Sequence, residues 1–439
     1  MTRPNEGGPG GMTSGTPGAV VDVEVERPVA GGWMLGRADG RIVFVSGAVP
    51  GERVRARIGR RTGGATFAST VEVLEASPDR RPAGDDAACG GQLYRHIAYP
   101  RQLTLKGEVV ADAFRRIARL PLERPPAVRA SDETGYRLRA RLHVRDGLVG
   151  FYREGTHEIC PAAATGQLSL GALSAVGAVV DLAGPALEHL SAIVLAENAT
   201  GSARVIHLEP VGPDAVRLPR LDLTTRADLT GLTTADRGRL VELAGIPTVT
   251  DRWEDLCASP PPGDGIVWTR HATSFFQGNR SLAGVLVERV LAAVSGDRIV
   301  DLYAGVGLFT APLAARGASV VAVEGDRSAG ADLRANTRPW RGRVLVVPES
   351  VERAVSRPPD ERPDAVVLDP PRTGATPAAL RGVIAWRAPL VAYVSCDPPT
   401  LARDALRLVD AGYQLDMLEA FDFFPHTPHV ETLAVFRLG

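Results

Sequence analysis

The stretch Ile299-Val300-Asp301-Leu302-Tyr303-Ala304-Gly305-Val306-Gly307 reads as a short buried strand running into a tight glycine turn. Glycine permits a turn that no larger residue makes and lets the backbone approach a bound ligand. Leu308 to Arg316 follows as a helix, Ser319 to Glu324 as a second strand, and a helix runs through Ala329 to Thr337. Further strands fall at Val344–Val347, Asp364–Asp369 and Leu390–Val394, and Tyr413–Asp422 and His429–Arg437 finish the sheet. Strand alternating with helix predicts a doubly wound, Rossmann-like α/β domain whose ligands bind at the carboxyl edge of the sheet. Glu324, ending the second strand, is placed to hydrogen-bond a ribose. Thr310 stands where a dinucleotide site has its third glycine, which argues against a pyrophosphate ligand.

The fifth strand ends in Tyr393-Val394-Ser395-Cys396-Asp397-Pro398. Ser-Cys-Asp-Pro-Pro cannot continue a strand, so it forms a loop and holds Cys396 at the ligand-binding edge. Taken alone, a cysteine there is more often a buried structural residue.

Upstream the character differs. From Val20 to Glu75 short alternating strands and glycine turns predict a small OB-like β-barrel. One of its strands sets Arg53, Arg55 and Arg57 on one face, either a solvated face or a phosphate-tracking one. A helix is expected over Pro100–Leu120, with Arg115, Arg116 and Arg119 on one side. Arg137 to Val144 alternates basic and apolar residues, with Gly147–Tyr152 as hairpin partner. Arg137, Arg139 and Arg141 would share a face suited to a polyanion. Ala162 to Leu190 reads as helical, and the proline-rich Asp251–Gly265 as a boundary. The expected division is a disordered tail at 1–18, the barrel at 19–76, a mostly β central RNA-binding domain at 77–264 and the α/β domain at 265–439. The helix near 100–120 is a candidate to pack on that last domain.

Of 439 residues, 44% are hydrophobic and 23% charged, as in a soluble globular protein. No run of eighteen apolar residues predicts a membrane span, and the N-terminus lacks the apolar core of a signal peptide. Cys89, Cys160, Cys257 and Cys396 are scattered, so no disulfide framework and a reducing, cytoplasmic setting are expected. Net charge is −1, and all the basic side chains but Lys106 are arginine, a composition that a bias of the source genome explains. His426 and His429 are spaced like metal ligands, but no second cluster accompanies them, so no metal site is expected.

In order along the chain come Ser274-Phe275-Phe276-Gln277-Gly278-Asn279, Asp369-Pro370-Pro371-Arg372, Ser395-Cys396-Asp397-Pro398, and Phe421-Asp422-Phe423-Phe424-Pro425-His426-Thr427-Pro428-His429-Val430-Glu431. With the glycine turn, they resemble the class I S-adenosylmethionine-dependent RNA uracil-5 methyltransferases, which make 5-methyluridine in tRNA and rRNA. Gly36, Val43-Phe44-Val45, Gly51-Glu52-Arg53-Val54 and Ser77-Pro78 resemble the TRAM domain, a small RNA-binding barrel.

The resemblance implies Cys396 as nucleophile and Glu431 as general base. Gln277, Tyr303, Gly305, Glu324 and Asp369 match cofactor-contacting positions, with S-adenosylmethionine as cofactor. A nucleophile is needed because carbon 5 of uridine attacks poorly until a thiolate has added at carbon 6. The thiolate must be available near neutral pH, so a site that lowers the pKa of Cys396 is expected. RNA, tRNA or rRNA, is the implied partner, with no membrane and no obligate protein partner. The target base has to leave its stack, and Phe275, Phe276, Phe423 and Phe424 would either stack on it or pack in the core.

The chain departs from the family in two places. Asp397 stands where the family has Asn, a charge that opposes thiolate formation. Only Cys89 and Cys160 match the ligands of the four-cysteine iron–sulfur cluster that some members hold, so no cluster is expected. Two rival functions follow from the residues. One is an amino-group methyltransferase built on Asp369-Pro370-Pro371-Arg372, and the other a catalytically silent RNA-binding protein.

Overall fold

Apolar residues alternate with polar ones along β1 (Val20–Pro28), β2 (Met34–Ala38), β3 (Arg41–Ser46), β4 (Arg53–Thr62) and β5 (Ala65–Glu75). In the computed structural model, which describes residues 17–82, 88–214 and 229–439, these strands close into a barrel in the order β1-β2-β3-β5-β4. Val23, Val43, Val45, Val54, Ala56 and Ile58 fill its interior. Gly36 is required where β2 meets β1, since a Cβ there would lie 2.5 Å from the Glu24 carbonyl oxygen. The outward arginines of β4 are partly neutralised: Arg53 pairs with Glu75, and Arg55 with Asp22 and Glu72. Apart from Pro17 and Gly18, the tail expected at 1–18 lies outside the described residues.

The helix expected over Pro100–Leu120 is present and ends two residues early. α1 (Tyr99–Ala113) passes into a single π-helical turn, Phe114–Ala118, and stops at Arg119, which takes a left-handed φ of 57°. Arg115 and Arg116 share one partner, Asp112, and stay more than half exposed. β6 (Val128–Arg129) then joins the edge of the C-terminal sheet.

The central region is a seven-stranded sheet. It contains β7 (Arg139–Arg145), β8 (Leu148–Tyr152), β9 (Ile159–Pro161), β10 (Leu190–Glu197), β11 (Arg204–Pro210), β12 (Gly231–Asp236) and β13 (Arg239–Gly245), in the order β13-β12-β11-β10-β7-β8-β9. The helical stretch expected at 162–190 is broken. A 3-10 turn, Ala162–Thr165, precedes α2 (Leu170–Ala183), and a second one, Gly184–His189, follows. Leu170–His189 is long and apolar enough to cross a membrane by composition, with mean hydropathy 1.6. Its Ala172, Ala175, Val176 and Val179 instead pack on the central sheet as a core helix. Cys89 and Cys160 form a disulfide, with Cα atoms 5.8 Å apart across a sequence separation of 71. This corrects the expectation of no disulfides. The β8–β9 pairing and a bridge from Cys89 to Arg153 bring the two together.

β14 (Thr248–Arg252) and β15 (Val267–His271) form a two-stranded ribbon that runs across the 264/265 boundary. α3 (Trp253–Leu256) sits between them, and Trp253 stacks on Trp268 within the core of the C-terminal domain.

That domain is built on an eight-stranded sheet. Its strands are β16 (Arg298–Leu302), β17 (Ser319–Val323), β18 (Val344–Val347), β19 (Ala365–Leu368), β20 (Leu390–Ser395), β21 (Tyr413–Phe421) and β22 (Glu431–Leu438), with β6 at one edge. The order is β18-β17-β16-β19-β20-β22-β21-β6. β16 through β20 are parallel, and β22 runs antiparallel to β20 and β21. The apolar strands are buried on both faces, as parallel sheets require. Ala365, Val367, Leu390, Ala392 and Val394 face a core shared with α4 (Ala283–Ala293) and α5 (Thr310–Ala315). Val366, Leu368, Val391 and Tyr393 face a core shared with α7 (Val351–Val355), α8 (Pro377–Trp386), α9 (Pro398–Asp410) and the end of α1. α6 (Arg327–Asn336) packs against β15. Strand order reverses between β16 and β19, which fixes the crevice at their carboxyl ends.

Candidate active site

The carboxyl ends of four parallel strands deliver the polar residues. Tyr303 follows β16, Glu324 follows β17, Asp369 follows β19 and Cys396 follows β20. Glu431 arrives from the opposite direction. β22 pairs Thr432 with Ser395, so the first residue of β22 lies beside the last of β20. All five, with Gln277 and Gly305, line one cavity of about 620 Å³. A larger groove of about 750 Å³ runs along edge strand β18. It contains neither a cysteine nor any of these strand-end residues.

The glycine turn is held open by its own chemistry. Tyr303 and Gly305 take left-handed φ values of 61° and 58°. For tyrosine that conformation costs energy, and such outliers cluster at functional sites. The Gly305 N–H donates to Glu324 Oε2 at 2.8 Å, and the Asp326 N–H donates to Oε1 at 2.6 Å. Behind the turn, Asp301 is fully buried and accepts from Thr310 Oγ1 at 2.5 Å. Burial pushes its carboxyl up to about 7. Thr310, at the missing third glycine, is thus a buried partner of Asp301.

Asp369 accepts from the Gln277 amide at 3.0 Å. Its carboxyl is open to the cavity yet enclosed by protein, and that desolvation raises it to about 7. Glu431 is raised well above the carboxylate range by burial and by the Asp369 charge, with Arg372 opposing. The Asp369 charge thus opposes ionisation of Glu431.

The Cys396 thiol is pushed up to about 12, not lowered as the sequence led us to expect. Burial is the largest cause, followed by the charge of Glu431, with Arg372 as the opposing cation. Asp397 is the weakest of the named influences. Its carboxylate is engaged elsewhere, accepting from the Thr400 N–H at 2.9 Å as the N-cap of α9.

Of the four aromatics, Phe275 (56% exposed), Phe276 and Phe424 reach the cavity wall, while Phe423 is core. Phe276 is itself buried, and the Arg270 guanidinium lies 3.8 Å from its ring centroid. His426 is a structural residue: it is buried, and its Nδ1 lies 3.2 Å from the Gln102 amide. Among the described residues no group of three or more His, Cys, Asp or Glu is arranged to hold a metal ion. Cys89 and Cys160 are joined to each other, Cys257 is buried against Gly284, and Cys396 lines the cavity.

Arg137 and Arg139 also line the cavity, although they belong to the central region. The chain before β7 is stitched to the Ser274–Asn279 block: the Leu138 N–H donates to Gly278 O at 2.8 Å, and the Arg280 N–H to Tyr136 O at 2.9 Å. The alternating arginines were visible in the sequence, but their destination was not. Arg141 turns away and pairs with Glu209.

Comparison with known proteins decides between the possible chemistries. Residues 360–437 match the tRNA (Uracil-5-)-methyltransferase family, and residues 15–71 the TRAM domain. A 23S rRNA (uracil(1939)-C(5))-methyltransferase of Pseudomonas entomophila is 31% identical over 94% of this chain and 93% of its own. The chain belongs to the RNA uracil-5 methyltransferases. An uncharacterized RNA methyltransferase of Streptomyces avermitilis is 33% identical over 95% of this chain and 98% of its own. The crystal structure of the Pyrococcus abyssi tRNA (uracil-54, C5)-methyltransferase, in complex with S-adenosyl-L-homocysteine, superposes with a TM-score of 0.71. It is 26% identical and covers 94% of this chain and 99% of its own. This uracil-5 methyltransferase is therefore an S-adenosylmethionine-dependent enzyme acting on RNA, and both the amino-group and the silent-binder alternatives fall away.

Proposed function

We propose that this enzyme methylates carbon 5 of a uridine in rRNA or tRNA through a covalent adduct between Cys396 Sγ and carbon 6 of the base. The observation that carries the proposal is the meeting of Cys396 and Glu431 in one cavity with the acid-capped glycine turn. The cavity volume is that of a small-molecule site. Gln277, Tyr303, Gly305, Glu324 and Asp369 would hold S-adenosylmethionine, which when bound supplies an electrophilic methyl group.

The cycle begins and ends with the Cys396 thiolate. Its sulfur bonds to carbon 6, and the electron pair of the C5–C6 double bond moves to the uracil enolate. Carbon 5 then takes the methyl group, and the broken carbon–sulfur bond leaves its electrons on the cofactor sulfur. Glu431, as carboxylate, removes the proton from carbon 5. The double bond reforms, the C6–Sγ bond breaks, and one proton leaves through Glu431. A base with a raised pKa suits that carbon acid. The barrel and the arginine-bearing central sheet grip the RNA in this scheme, and the target base is flipped into the cavity, with Phe275 and Phe424 available to stack on it.

The test uses RNA substituted with 5-fluorouridine. Carbon 5 then carries fluorine instead of a removable proton, so wild-type protein with S-adenosylmethionine accumulates a denaturation-resistant adduct. Cys396→Ala forms none. Glu431→Gln traps the adduct on ordinary RNA and lowers turnover about 10²–10⁴-fold. Methyl transfer by Cys396→Ala at the wild-type rate overturns the covalent mechanism.

A further inference from the structure

A side cavity of about 130 Å³ adjoins the main one, and the two share Arg137, Arg372 and Phe424. These three residues form the neck between them. None of Gln277, Tyr303, Gly305 or Glu324 reaches the side cavity. Gly91, Glu154 and His429 also line the side cavity.

Several buried and half-buried arginines nearby are matched to acids: Arg204 and Arg280 to Glu197, Arg270 to Asp251. Arg137 and Arg372 make no ion pair with a carboxylate among the described residues. Arg137 spends Nε on the Arg139 carbonyl at 2.9 Å and Nη1 on Gln167 Oε1 at 2.5 Å, both neutral acceptors. Its ring neighbours are Phe151 and Phe424, with centroids 5.3 and 5.9 Å from the guanidinium carbon. Burial lowers the pKa of Arg137, and the charge of Arg372 lowers it further. His429 is held neutral, its pKa lowered to about 4 by burial and by Arg372, Lys106 and Arg137. Glu154 is exposed on the outer wall and pairs with neither arginine. The half-buried Arg137, without a carboxylate partner, and the exposed Arg372, whose charge also reaches Glu431 and Cys396, together mark a place for an anionic ligand.

We propose that Arg137 and Arg372 clamp a phosphodiester that flanks the target uridine, the phosphate seated at the neck and the sugar chain leaving through the side cavity. The inference rests on the uridine reading above. With the base over Cys396, the backbone attached through its ribose has to leave the main cavity beside it, and the neck is an outlet lined by guanidinium groups. Phe424 then separates the base from the backbone. The cofactor also carries an anion, its carboxylate, and the experiment distinguishes the two.

Full-length wild type, Arg137→Gln, Arg372→Gln, the double variant and Arg372→Lys are titrated with unmodified 23S rRNA and tRNA transcripts across a salt series. S-adenosylhomocysteine affinity is measured in parallel by calorimetry. Each Gln variant is expected to bind RNA more weakly, with a log Kd against log salt slope shallower by about 0.7 per lost contact. Arg372→Lys restores the slope, and S-adenosylhomocysteine binds all variants as it binds wild type, which also reports an intact fold. An unchanged slope in the double variant overturns the clamp. A tenfold or greater loss of S-adenosylhomocysteine affinity, restored by Lys, assigns the arginines to the cofactor carboxylate and overturns it too. Failure of the wild type to methylate either transcript counts against the uridine reading, whereas normal transfer with an unchanged variant slope counts against the clamp alone.

Discussion

Cys396 stands at the end of a buried strand among carboxyl groups, and those surroundings oppose the charge that the proposed chemistry needs. The free enzyme therefore holds Cys396 as a thiol at neutral pH, with the thiolate present in only a small fraction of molecules. Alkylation of Cys396 by iodoacetamide is expected to rise about tenfold per pH unit from pH 7 to 10 without a plateau. In Glu431→Gln the profile moves to lower pH, because the first charge named after burial has gone. Mass spectrometry of the Cys396 peptide reads both, and a plateau below pH 9 in the wild type would contradict the structure. Local sequence named the residues of this site, because strand-end loops carry their chemistry in contiguous motifs. It did not give the pKa of Cys396, which is set first by burial and then by Glu431, Arg372 and Asp369 from three other segments.

At the scale of elements, Asp397 is a helix cap. α9 begins at Pro398-Pro399, residues suited to the first turn, and Asp397 Oδ1 takes the Thr400 N–H at 2.9 Å. The positive end of the helix offsets the carboxylate charge. Asp397→Ala is expected to lower stability by about 1 kcal/mol in urea unfolding, while Asp397→Asn, whose amide oxygen caps equally well, leaves it within a few tenths. Activity should follow the same order, with Asn at or above the wild-type rate. Loss of activity in Asp397→Asn would mean that the charge itself is used. The strands of the C-terminal sheet were legible because each is an apolar run of the length a buried strand needs. The end of the helix through α1 was legible to within two residues from Pro121, but Arg119 at φ 57° closes it before the proline, and no local signal marks that residue.

Across the whole molecule, α1 is the tie between the segment after the barrel and the catalytic loop. Lys106 is fully buried, ion-paired with Asp422, and donates to Phe424 O at 3.0 Å. The Gln102 amide oxygen accepts from the His426 N–H at 3.0 Å in the same loop, which leads into Glu431. Removing the lysine leaves Asp422 charged and unpaired in the interior. Lys106→Met should therefore cost about 3–5 kcal/mol in thermal unfolding, and Lys106→Met with Asp422→Leu should recover much of it. Equal destabilisation by the single and double variants would show that packing, not the charge pair, sets the cost.

By itself the sequence determined the barrel strands, the alternating strands and helices of the catalytic domain, and the residues delivered to its ligand edge. These are consequences of local periodicity and turn chemistry, which act over a few neighbouring residues. Tertiary structure alone decided that Arg137 and Arg139 overhang the cavity, that Cys89 meets Cys160, and that Lys106 lies buried against Asp422. Each depends on segments far apart in the chain being brought within a few ångströms, where burial and charge act through space and leave no local signature in the sequence.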